Sequence, residues 1–121
     1  MSATREIIPP PVRTRDAARS SSQPASMVVR GNDFLFVSGL TAVNLQSGER
    51  IRGTTASETR QILTNLKQLL ETAGSSLDKV VKVNVLLHSM LEAPNMNDVY
   101  ARFFPNQPPA RRSTGSCRCM R

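Results

Sequence analysis

The sequence predicts an α/β fold in which short strands alternate with helices. Three observations carry that expectation: a pair of apolar runs flanking a turn, one long stretch of helical periodicity, and a β-branched run directly after it. The helical stretch is also long enough to serve as the crossover that parallel strands require.

The first element is a hairpin. Met27-Val28-Val29 and Phe34-Leu35-Phe36-Val37 flank Gly31-Asn32-Asp33, residue types that tolerate the positive φ of a tight turn. Ser38-Gly39 closes the second strand, and the polar stretch through Asn44, Ser47 and Gly48 predicts a loop before a short edge strand near Arg50 to Arg52. Thr55, followed by Glu58, predicts a capping box, in which hydroxyl and carboxylate satisfy otherwise unpaired amides at a helix start. Ile62, Leu66, Leu69, Leu70 and Ala73 then form one apolar stripe, with Arg60, Gln61, Lys67 and Gln68 largely off it, and Gly74 supplies the stop.

Lys79 to Leu87 predicts the clearest strand. Val81, Val83, Val85 and Leu87 share one face, suited to packing against helices. Val80, Lys82, Asn84 and Leu86 share the other, a mixed face suited to a subunit interface or a site. A second helix is expected from Asn95 to Phe104, where Met96, Val99, Tyr100 and Phe103 have helical spacing and Pro105 discourages continuation. Residues 105–121 contain no Val, Ile, Leu, Phe, Tyr or Trp, so hydrophobic patterning predicts no buried strand there.

The chain has 121 residues, which fits one domain. Its net charge of +7 is unevenly spread: +3 over residues 1–30, −1 over 31–100 and +5 over 101–121. A near-neutral middle between basic ends predicts solvated tails rather than a nucleic-acid surface. No apolar run reaches the roughly 20 residues needed to span a bilayer, and the expected location is cytoplasmic. The Arg- and Ser-rich, acid-poor segment from Thr4 to Ser22 leaves a mitochondrial alternative, although Pro9, Pro10 and Pro11 would interrupt an amphipathic targeting helix. Cys117 and Cys119 are separated by one residue and lack a second ligand pair, so free thiols are expected rather than a zinc site.

Several segments occur in a familiar order: Phe34-Leu35-Phe36-Val37-Ser38-Gly39, Asn65 to Leu70 with Ala73-Gly74, Val80-Val81-Lys82-Val83, Asn97-Asp98-Val99-Tyr100 with Phe103-Phe104-Pro105, and Pro109-Ala110-Arg111. At these spacings, across Pro24 to Arg111, the chain resembles the RidA (YjgF) family of imine deaminases. The resemblance implies a chorismate-mutase-like fold, with two helices on one face of a mixed sheet and three subunits packing their other sheet faces together. It also implies sites in the clefts between subunits, no metal or organic cofactor, and hydrolysis of 2-enamino and 2-imino acids to 2-keto acids and ammonia.

That chemistry needs a grip on the substrate carboxylate, which a guanidinium provides with two parallel hydrogen bonds. Arg111 matches the family's carboxylate-binding arginine. Ser38 and Asn97 match pocket residues that orient ligand and water, so Arg111 and Asn97 are the expected catalytic groups, and Arg111, Ser38 and Asn97 the expected substrate contacts. Read without the resemblance, Arg111 is a surface arginine, Ser38 a turn residue, Asn97 a helix-start residue and His88 a solvent-facing loop histidine.

Departures from the family pattern are specific. Ala25 stands where the pocket tyrosine is expected, Ser113 where cysteine is common, and the last-strand glutamate has no counterpart. The resemblance therefore divides the chain into a polar, flexible segment (1–22), a RidA-like domain (23–111) whose last strand is expected to be missing, and an atypical basic tail (112–121) suggestive of an altered reading frame or a truncation. A sheet lacking a strand would expose an unpaired edge. Two other functions compete with deamination: a non-catalytic trimer that binds a small carboxylate, and RNA binding or cleavage. The latter lacks a histidine pair or an aromatic platform near the basic residues.

Overall fold

The computed structural model of the chain describes residues 4–9 and 24–115. Five strands and two helices follow in chain order: β1 (Arg5–Ile8), β2 (Val28–Gly31), β3 (Phe34–Val37), α1 (Thr55–Thr72), β4 (Lys82–Leu87), α2 (Ala93–Phe103) and β5 (Ala110–Gly115). β1, β2 and β3 form an antiparallel sheet in that order, and β4 and β5 form a separate parallel pair joined through α2.

The hairpin forms as its residue types dictate. Gly31 pairs with Phe34, and Asn32 takes a φ of 53°, a left-handed value that Asn tolerates better than most residues. The edge strand expected near Arg50 shrinks to a single bridge, Val43 to Arg50. There Asn44 folds the chain back locally, its Oδ1 accepting from the amides of Gln46 (2.8 Å) and Ser47 (3.2 Å).

The helix cap sits one residue earlier than the sequence suggests. Thr54, not Thr55, is the cap: its hydroxyl accepts from the Ser57 amide at 3.1 Å, while Glu58 Oε2 reaches back to the Gly53 amide at 3.2 Å. Thr55 is already helical, so its own hydroxyl is past the position where capping geometry is possible. Thr54→Ala is expected to cost about 1 kcal/mol, measured as a shift in urea midpoint at unchanged slope. At the other end Gly74 takes φ 86°, Ser75 N donates to Leu70 O (2.8 Å) and Gly74 N donates to Glu71 O (3.1 Å). The last turn of α1 carries no basic residue. Arg30 of β2 supplies the cation instead, donating from Nη2 to Ala73 O at 2.7 Å.

The core sits between the helices and the inner face of β4. Leu63, Met96, Tyr100 and Phe104 form a buried cluster, with Val83, Val85 and Leu87 of β4 packed against it. The apolar face of β4 thus meets the helices, as its alternation predicts; Val81 is the exception, 69% exposed ahead of the strand. Leu63, three residues before Leu66 and seven before Leu70, extends the same stripe and is buried where α1 packs against α2. Asn65 is buried too, and satisfied: Nδ2 donates to Val43 O at 2.7 Å and Oδ1 accepts from Gln61 Nε2 at 2.9 Å.

Two expectations are corrected. Residues 5–8 form β1 within the segment expected to be flexible; the Glu6-Ile7-Ile8 run pairs with β2, and Glu6 Oε1 lies 3.4 Å from Arg30 Nε. Residues 110–115 form β5 despite their polar composition. The strand is exposed at every position but Ser113, so it needs backbone pairing with β4 rather than apolar side chains. Among the described residues it is the last strand. Cys117, Cys119 and the remainder of the basic tail from residue 116 lie outside the described residues, as do Pro10 and Pro11.

Candidate functional site

β5 places Arg111 opposite Val83 and Ser113 opposite Val85 in the parallel register. Paired residues share a sheet face, so both side chains stand on the side where Val83 and Val85 meet the helices. Arg111 uses that direction: its guanidinium carbon lies 4.8 Å from the centroid of the Tyr100 ring, within cation–π range. Tyr100 is held in turn against Phe104, ring centroids 4.7 Å apart at an interplanar angle of 38°.

Among the described residues Arg111 has no carboxylate partner; the single ion pair there is Arg30 with Glu6. One face of the guanidinium is therefore covered by an aromatic ring while its donor edge stays free, an arrangement suited to an incoming carboxylate. The Tyr100 hydroxyl and Ser113 Oγ are both buried without a partner among the described residues.

Burial pushes the Tyr100 phenol above its ordinary value of 10.0, and the nearby Arg111 charge opposes that shift. Tyr100 is the chain's single tyrosine, so tyrosinate absorbance reports it alone. The transition is expected above pH 10.0 and should move higher still in Arg111→Ala, which removes the charge that favours the phenolate. Because the folded value is the raised one, this contribution to stability is complete below the unfolded value and is lost as pH rises through the folded one.

Asn97 lies on α2 one turn before Tyr100 and is exposed, so the two are neighbours along the helix surface. Among the described residues no side chain caps the first turn of α2; at its start Asn95 Nδ2 donates to Glu92 Oε1 at 3.1 Å. That bond first, and the Thr55 side chain second, hold the Glu92 carboxyl below its ordinary value of 4.5.

Ser38 comes from the other sheet. It follows β3, its amide donates to Met27 O at 2.9 Å, and it borders a cleft that Gly39, Asn84 and Tyr100 also line. Arg111 thus rests on the Tyr100 ring and Asn97 precedes Tyr100 by one turn on α2, while Ser38 borders a cleft that Tyr100 lines but Arg111 and Asn97 do not. Ala25 is exposed ahead of β2, and His88 is exposed after β4. Tyr100 is the candidate site residue that sequence reasoning missed. Its helical spacing marks it as core, which it is, and only the strand register shows that Arg111 lies over it.

The family described as Endoribonuclease L-PSP matches residues 16–118. The chain belongs to the RidA family. Its match runs past Arg111 through β5. A RutC family protein from Pyrococcus horikoshii is 41% identical over 88 residues, covering 73% of this chain and 70% of that protein. The 2-iminobutanoate/2-iminopropanoate deaminase of Dermatophagoides farinae is 33% identical, covering 76% and 72%. Among solved structures, a Rid-family protein of unknown function from Yersinia pestis superposes with a TM-score of 0.79 at 27% identity, covering 93% of this chain and 86% of that one. A putative endoribonuclease from Thermotoga maritima superposes at 0.75 and 38% identity, covering 79% and 76%. These RidA-family neighbours share the mixed α/β fold that the sequence predicts.

Proposed function

We propose that the chain hydrolyses 2-imino acids, and the 2-enamino acids that tautomerise to them, to 2-keto acids and ammonia. The observation that carries this reading is Arg111, a cation braced on Tyr100 with no carboxylate partner among the described residues. The deaminase named for Dermatophagoides farinae lends it a relative's precedent.

In this reading the guanidinium grips the substrate carboxylate through two parallel hydrogen bonds and fixes the adjacent C=N carbon. Water adds to that carbon, its proton passes to nitrogen, and the carbinolamine then expels ammonia to leave the keto group. Ser38 hydroxyl and Asn97 amide orient ligand and water. The chain works as a homotrimer with sites in clefts between copies. Exposed Phe36 (63%) and Leu86 (75%) give the sheets apolar outer surface to bury in such an assembly.

A second reading, a trimer that binds small carboxylates without turning them over, draws on Ala25, a side chain without a hydroxyl where the family resemblance expects tyrosine. One experiment separates them. An imino acid is generated with an amino-acid oxidase, and its decay is followed with and without the chain. Faster decay supports deamination; decay no faster than in buffer, together with 2-ketobutyrate binding seen by ligand NMR, supports the binder. Neither effect would remove both readings.

A further inference from the structure

Each sheet turns one face away from the helices. In the first, Arg30 shares a face with Glu6 and Leu35 and donates to Ala73 O of α1, so Arg5, Ile7, Phe34 and Phe36 lie on the opposite side. In the second, Val83, Val85 and Leu87 meet the core, so Lys82, Asn84 and Leu86 of β4 point outward with Ala110, Arg112 and Thr114 of β5. Ile7, Phe34, Phe36 and Leu86 make these outer faces apolar. Their charge is one-sided: Arg5, Lys82 and Arg112 stand there, and no acidic residue of the described strands does. Arg112 pairs with Asn84, so Lys82 and Leu86 are its diagonal neighbours, about 8 Å away for strands roughly 4.8 Å apart that rise about 3.3 Å per residue. Covering Leu86 therefore covers two cations with it.

We propose that copies of the chain pack these faces together around a phosphate ion, held by Lys82 and Arg112 of adjacent copies. The packing itself rests on the homotrimer proposed above; the anion is the added requirement. A cation taken out of water needs an opposite charge, and on these faces a second copy brings only further cations. A phosphate ion supplies what is missing. Arg112 can grip two of its oxygens with parallel N–H groups, Lys82 adds a point charge, and a dianion meets more than one cation at once, as chloride cannot. Salt of any kind eases repulsion by screening, so the specific expectation is an effect of phosphate beyond its ionic strength.

The test follows the mass of the full chain on dilution, by sedimentation velocity, in chloride, acetate and phosphate buffers of equal ionic strength. The protein concentration at which the assembly half-dissociates is expected to be lower in phosphate by roughly tenfold or more, and equal in chloride and acetate. Glycerol 2-phosphate should act more weakly than the free ion, since its ester group must also fit between packed faces; the reverse order would overturn the free ion as ligand. Lys82→Gln combined with Arg112→Gln should assemble equally in all buffers. Lys82→Glu, which sets a carboxylate diagonal to Arg112, should assemble in chloride to the mass that the wild type reaches in phosphate, a gain that misfolding would not give. Equal midpoints in phosphate and chloride, or a phosphate response that survives the double substitution, would overturn the anion's role and leave the trimer standing. A chain that stays monomeric in every buffer would overturn both. Binding of polyglutamate to such a monomer, lost in the double variant, would give the face to an acidic polypeptide instead.

Discussion

Leu69→Ala is expected to lower the unfolding free energy by about 2–5 kcal/mol. Leu69 is 1% exposed, among the most completely buried large side chains of the described residues, and it lies in the last full turns of α1. Removing its branched end leaves a cavity that the helix can close only by shifting, and Arg30 and Asn65 resist such a shift through their bonds to Ala73 O and Val43 O. For a domain whose whole stability is typically 5–15 kcal/mol, such a loss is large, and urea denaturation would record it as a lower midpoint. Leu86→Ala provides the comparison. That residue is 75% exposed, so an effect within about 0.5 kcal/mol is expected from the isolated chain. A loss at Leu86 that grows with protein concentration would show its face to be buried between copies. Equal losses at both positions in dilute protein would contradict the packing described here.

The same contrast explains what the sequence could reveal. Hydrophobic pattern reports burial, and it reports it well where one face of an element is covered. The hairpin, the stop of α1 at Gly74 and the inner face of β4 were all legible for that reason. β5 was not, because its strand is held by backbone pairing to β4 and presents almost no buried side chain to leave a pattern. Leu63 was within reach of the same pattern, since it stands three and seven residues before Leu66 and Leu70. The cap slipped by one residue because Thr54 and Thr55 offer the same chemistry and only backbone geometry separates them.

The site divides in the same way. Arg111, Ser38 and Asn97 are candidates only through the ordered motifs of the resemblance, and no spacing rule alone would have singled out an arginine in a basic tail. The contact of Tyr100 with Arg111 was hidden because a buried aromatic at helical spacing reads as core whether or not a cation rests on its face.

Arg111→Ala is expected to reduce kcat/KM for imino acid hydrolysis by roughly 100-fold or more. The estimate follows from two hydrogen bonds to a carboxylate, each worth about 1.5–3 kcal/mol when the partner is charged, with 1.4 kcal/mol equal to tenfold. Arg111→Lys is the more informative variant. It keeps the positive charge and loses the planar fork, so it should fall between wild type and alanine, with KM rising as one of two parallel bonds is lost. Tyr100 tests the platform separately. Tyr100→Phe keeps a ring face beneath the guanidinium and should retain most activity, whereas Tyr100→Leu removes the cation–π contact, worth about 0.5–2 kcal/mol, and should lower kcat/KM without altering which acids are accepted. Steady-state rates with in situ generated imino acid would measure all four variants. If Arg111→Lys matches wild type, the guanidinium acts only as a charge and the bidentate grip is wrong. If Tyr100→Leu matches wild type while Arg111→Ala is inactive, Arg111 works in an orientation other than the one stacked on the ring, reaching across to a site completed by a neighbouring copy.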